Sequence, residues 1–130
     1  MSRPRTALVV DDDPDIRKLI AAWLTQLGFE VRHAADGRKA IAALAEAPPL
    51  LLCLDLMLPE SSGYDVCEHV QRTPALSAVR VLMISARTLP EDRALAEELG
   101  ARAYLTKPFT QSDFVRAVND ALSDEPLTEP

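Results

Sequence analysis

Five short apolar runs alternate with five helical patterns along this chain, an alternation that admits few folds other than a parallel sheet wrapped by helices. The runs are Ala7–Val10, Glu30–Ala34, Leu50–Leu54, Val79–Ile84 and Arg102–Thr106. Between them the helices carry their own punctuation. Asp13 followed by Pro14 reads as an N-cap with proline in the first turn. Ile16, Leu19, Ile20, Trp23, Leu24 and Leu27 then recur at helical spacing, and Gly28 closes the element. Asp36 caps a second helix through Ile41 and Leu44, stopped at Pro48-Pro49. A third runs from about Ser62 to Arg72, and a fourth from Pro90 to Leu99, closed by Gly100. The fifth is expected to bury Phe114, Val115, Val118 and Leu122.

Three of the runs are nearly continuously apolar, as strands covered on both faces require. Glu30–Ala34 and Arg102–Thr106 alternate polar with apolar residues, the pattern of strands that reach solvent. With those two as edges the strand order becomes 2-1-3-4-5, the flavodoxin-like doubly wound (βα)5 three-layer sandwich. At 130 residues one core is feasible, and 48% hydrophobic with 26% charged residues is globular composition. Apolar runs such as Leu50–Leu54 are far too short to span a bilayer, and no N-terminal stretch resembles a signal peptide. Fourteen Lys and Arg against twenty Asp and Glu leave a net charge of −6, which argues against nucleic acid as a direct partner. Cys53 and Cys67 read as reduced thiols of a cytoplasmic protein, Cys53 packed as a small hydrophobe. His33 and His69 read as surface residues, and Trp23 and Phe114 as core. The acidic stretch Ser123–Pro130 reads as a frayed end or the start of a linker.

In such a sheet ligands bind beyond the carboxyl ends of the strands, where the strand order reverses. That point lies between the first and third strands, which end in Asp11-Asp12-Asp13 and Asp55. Carboxylates from distant segments thus converge, and a like-charge cluster is costly unless a proton or cation neutralises it. A few hard oxygen ligands with room for water suit Mg²⁺. The fourth strand ends in Ser85, a hydroxyl donor, and the fifth in Lys107, an ammonium. A phosphoryl group on Asp55 would find a metal, a cation and a hydroxyl arranged around it, which is what phosphoryl transfer needs.

These motifs resemble the receiver domain of bacterial two-component response regulators, over residues 5–122. Leu8-Val9-Val10-Asp11-Asp12-Asp13, Leu54-Asp55-Leu56-Met57-Leu58-Pro59 with Gly63, Ile84-Ser85-Ala86 and Gly100-Ala101 leading to Tyr104-Leu105-Thr106-Lys107-Pro108-Phe109 carry the resemblance. It implies that Asp55 is the phosphoacceptor, charged by a sensor histidine kinase, a phosphotransfer protein or a small phosphodonor. It also implies Mg²⁺, replaceable by Mn²⁺, held by Asp12, Asp55 and the Met57 carbonyl, with Asp11 acting through water. Ser85 and Lys107 would bind the phosphoryl group. Ser85 and Tyr104 would form a switch altering the surface of the fourth helix, fifth strand and fifth helix, read by a downstream partner or a covalently linked output domain. The bond before Pro108 is expected to be cis, and Gly63 is structural. No enzyme activity beyond self-phosphorylation and self-dephosphorylation is implied.

Two features depart from the family pattern. Pro49 stands where an aspartate often precedes the third strand. Arg116 is the one basic residue in Asp113–Asp120, where winged-helix transcription factors of this family carry several and dimerise through them. Other readings fare worse. A haloacid-dehalogenase-like phosphatase wants an acidic residue where Met57 stands. The glycines Gly28, Gly37, Gly63 and Gly100 form no G-x-G-x-x-G. An inactive pseudo-receiver, acting only as an interaction module, would not be expected to retain Asp12, Asp55, Ser85 and Lys107 together.

Overall fold

The computed structural model describes residues 5–123; the expected tail therefore lies, apart from Ser123, outside the described residues. Five parallel strands form one sheet: β1 Thr6–Val10, β2 Glu30–Ala34, β3 Leu51–Asp55, β4 Arg80–Ser85 and β5 Ala103–Thr106. Their order is β2-β1-β3-β4-β5, with the two alternating strands at the edges as expected. The helices are α1 Pro14–Gln26, α2 Gly37–Glu46, α3 Gly63–Arg72, α4 Pro90–Glu98 and α5 Gln111–Leu122.

Alternate residues of the central strands feed two separate cores. Leu8, Val10, Leu52, Leu54, Val81 and Met83 face Ala40, Leu44, Val66, Cys67, Val70 and Ala96 of α2, α3 and α4. Ala7, Val9, Leu51, Cys53, Leu82 and Ile84 face Ile20, Leu24, Phe114, Ala117, Val118 and Ala121 of α1 and α5. This division follows from crossover handedness. The step from β1 to β2 runs one way across the sheet and every later step the other, so crossovers of one hand put α1 opposite α2, α3 and α4.

Asp13 caps α1, its carboxylate accepting from Asp15 N–H at 2.9 Å and Ile16 N–H at 3.4 Å. Asp36 caps α2, and reciprocal capping boxes open α3 (Ser62, Asp65) and α5 (Thr110, Asp113). Three buried-stripe assignments need correction. Leu19 is 45% exposed, because it lies about 100° around α1 from Ile20 and so on the flank of the buried face. Val115 is half-buried for the same reason relative to Phe114, and Leu122 is half-buried against the α1–α5 core; Ala117 and Ala121 complete the buried face with Phe114 and Val118. The sequence reading also passed over a short antiparallel pair, Met57–Leu58 with Ser61–Ser62, and a 3₁₀ turn at Pro74–Leu76.

Candidate functional site

The carboxyl ends of neighbouring strands are pinned together by backbone bonds one step past the ladder. Asp11 N–H donates to Ala34 O at 3.2 Å, Leu56 N–H to Ile84 O at 3.2 Å, and Lys107 N–H to Ser85 O at 2.8 Å. The loops carrying Asp11, Asp55, Ser85 and Lys107 thus start from a common rigid edge. Asp11, Asp55 and Ser85 are buried; Asp12 is exposed.

Lys107 Nζ stands between two carboxylates, donating to Asp11 Oδ2 at 3.1 Å and to Asp55 Oδ2 at 3.3 Å. The other oxygens are held by backbone: Asp13 N–H donates to Asp11 Oδ1 at 2.9 Å and Met57 N–H to Asp55 Oδ1 at 3.1 Å. An oxygen from each of Asp11, Asp12 and Asp55 falls within 4.8 Å of the others. Three carboxylates against one ammonium leave an excess of two negative charges when all are ionised, and the donors are all hard oxygens. Both facts fit a small divalent cation such as Mg²⁺.

Burial first, and the Asp11 carboxylate second, push the Asp55 pKa above its ordinary value, while the Met57 N–H and Lys107 pull against them. Burial also works against the Lys107 ammonium, yet attraction to Asp55 and the bond to Asp11 hold its pKa above the usual value. A raised native pKa for Asp55 means the folded chain binds that proton more tightly than the unfolded chain. Stability therefore falls as pH rises above the ordinary carboxylate value of 3.8, until the native pKa is passed. In metal-free buffer Asp55→Asn removes this decline, so the variant is expected to melt above wild type at pH 7, with the gap closing toward acid. Equal Tm differences at pH 4 and pH 7 would contradict it.

Gly63 opens α3 directly against the Asp55 loop, its N–H donating to Leu56 O at 2.8 Å. The Lys107–Pro108 bond is cis. Behind it Phe109 packs with Trp23 and Phe114 at ring separations of 6.0 and 6.2 Å, bracing the Lys107 loop against α1 and α5. The Ser85 hydroxyl accepts from Arg87 N–H at 3.0 Å, and the Tyr104 hydroxyl donates to Arg87 O at 3.1 Å. Arg93 covers the Tyr104 ring at 5.0 Å. His33 is exposed on β2 and His69 half-buried on α3. Cys53 and Cys67 are both buried free thiols, and burial pushes Cys53 up to about 12.

Sequence reasoning missed the Met57–Ser62 hairpin that holds the Met57 N–H on Asp55. Its turn has Pro59 followed by Glu60 at φ 64°, and glycine or asparagine, the usual signal of such a turn, is not there. It also missed Tyr64, Arg87 and Asp92, which join side chains of α3, α4 and the loop between β4 and α4. Among the described residues no helix is long and apolar enough to cross a membrane.

Comparison with known proteins gives a consistent picture. The response regulator receiver domain family matches residues 7–119. The transcriptional regulatory protein GltR of Pseudomonas aeruginosa is 34% identical over 125 residues, 96% of this chain and 52% of that protein. The phosphate regulon transcriptional regulatory protein PhoB of Escherichia coli is 38% identical over 114 residues, 88% of this chain and 50% of that protein. The chain thus spans about half the length of these curated relatives. Among solved structures, chemotaxis response regulator CheY4 of Vibrio cholerae superimposes with a TM-score of 0.86 at 28% identity, over 92% of this chain and 100% of that one.

Proposed function

The chain belongs to the response regulator receiver domain family, and from that membership we propose that it is a phosphorylation switch whose acceptor is Asp55. The observation that carries the reading is the Lys107 ammonium shared between Asp11 and Asp55 at the point where the strand order reverses. An oxygen of Asp55 attacks the phosphorus of a donor, a histidine kinase's or phosphotransfer protein's phosphohistidine or a small acyl phosphate. The bond from phosphorus to the donor breaks as the bond to the carboxylate forms. Lys107 and the Ser85 hydroxyl then bind phosphoryl oxygens, supplying charge and hydrogen bonds in a preorganised site.

Asp12, Asp55 and the Met57 carbonyl would hold Mg²⁺, with Asp11 reaching it through water. Bound there, the ion neutralises charge on the phosphoryl oxygens during transfer. The signal would leave through α4, β5 and α5. Tyr104 is the residue to carry it, since its hydroxyl bonds the carbonyl of Arg87, whose N–H is held by Ser85, and a space of about 70 Å³ between α4 and β5 is lined by Arg93, Ala96, Ala101 and Tyr104. The receiving element would be a downstream partner or an attached output domain, as the regulator names of the longer relatives suggest.

Two neighbouring aspartates give the test. Asp12→Ala is expected to reduce Mg²⁺-dependent phosphoryl uptake from acetyl phosphate by roughly 10²-fold or more. Asp13→Ala is expected to keep uptake and lose about 0.5–2 kcal/mol of stability with the α1 cap. Equal uptake by Asp12→Ala and wild type at limiting Mg²⁺ would overturn the assignment.

A further inference from the structure

The helix α4 is fastened to the domain in an unusual way. Of its nine residues only Asp92 and Ala96 are buried, and no side chain caps its N-terminus. What fixes its first turn is polar. Asp92 Oδ1 accepts from the Tyr64 hydroxyl of α3 at 3.0 Å and from Arg87 Nε at 3.0 Å, and the Asp92 side chain is only 7% exposed. Its second oxygen, Oδ2, is buried without a partner. Burial, then the bond to Asp92, push the Tyr64 phenol up to about 12, so it stays a donor at any ordinary pH. A half-satisfied buried charge is a weak way to hold a helix compared with apolar packing. It is, however, a discrete contact that either forms or does not.

Arg87 ties this cluster to the site. Its N–H is held by the Ser85 hydroxyl, its carbonyl accepts from Tyr104, and its guanidinium holds Asp92. If the Ser85 hydroxyl turns to a phosphoryl group on Asp55, it leaves the Arg87 N–H, and one residue then relays the change to α4 and β5 together.

We infer that Tyr64, Asp92 and Arg87 form a latch that clamps the first turn of α4 to α3, and that phosphorylation opens it through Ser85. The opening step rests on the phosphoacceptor reading of Asp55; the clamp does not. Opening must cost free energy in the resting protein, so a weakened latch raises the population already open and with it the apparent affinity for an activating ligand.

Tyr64→Phe removes one hydroxyl and keeps the ring, and Asp92→Asn keeps the shape without the charge. In unphosphorylated protein both are expected to speed amide hydrogen exchange at Asp92, Arg93 and Ala94 about tenfold, with β1 and β3 unchanged. Beryllofluoride with Mg²⁺, a mimic of the phosphorylated aspartate, is expected to bind both variants several-fold more tightly than wild type. Tightening is a result that mere structural damage would not produce. Wild-type exchange rates at α4 in both variants would overturn the clamp. Faster exchange with unchanged beryllofluoride affinity would overturn the opening step alone. No beryllofluoride binding by wild type would defeat the acceptor reading and the opening step, while the exchange result still decides the clamp.

Discussion

Gly63→Ala is expected to cost about 3 kcal/mol or more, lowering the Tm by roughly 10 °C or more, and to displace the acceptor loop. A Cβ at Gly63 would overlap the Asp55 carbonyl oxygen and stand 2.8 Å from Leu56 Cα. Both are backbone atoms of the segment that presents Asp55, so no rotamer relieves the contact. Either α3 shifts outward, breaking the Gly63 N–H bond to Leu56 O, or the Asp55 loop moves off the sheet edge. Gly28→Ala makes the control. Nothing lies within 4 Å of a Cβ there, and only the φ of +93° resists it, at a cost of about 1–2 kcal/mol. Equal Tm losses for the two variants would show that Gly63 is not tightly confined.

The second large effect is at Lys107. Lys107→Ala is expected to slow phosphoryl uptake from acetyl phosphate by about 10²–10³-fold, the loss typical when one preorganised donor to a charged transition state is removed. It also leaves Asp11 and Asp55 facing each other without the cation that now separates them. The metal-free variant should therefore be less stable at pH 7 and recover toward acid, as one carboxylate takes up a proton. Mg²⁺ should restore part of that stability. Uptake within threefold of wild type would remove Lys107 from the phosphoryl site.

The five strands were legible because two physical constraints agree. Strands buried on both faces must be continuously apolar, as Leu51–Leu54 are, and an edge strand can alternate, as Ala103–Thr106 does. The capping aspartates Asp13 and Asp36 were legible because a cap is a local bond. The convergence of Asp11, Asp12 and Asp55 followed from strand order alone, before any side chain was placed. Other features were hidden because their determinants are not local. Leu19 obeys helical spacing yet sits on the flank, since the width of the buried stripe depends on what packs against it. Glu60 takes a backbone conformation its residue type does not announce. Asp92 reads as an acidic first-turn residue favouring the helix dipole, and only the approach of α3 turns it into Tyr64's partner.

On the proposed function, Asp55 accepts a phosphoryl group in a site completed by Lys107, Ser85 and a divalent cation. Intact mass spectrometry of wild type and Asp55→Asn, each incubated with acetyl phosphate and Mg²⁺, tests it most directly. Wild type should gain the mass of a single phosphoryl group, and none when EDTA is added before the donor, and Asp55→Asn should gain none. Equal labelling of Asp55→Asn, or a wild-type mass that never changes, would overturn Asp55 as the acceptor.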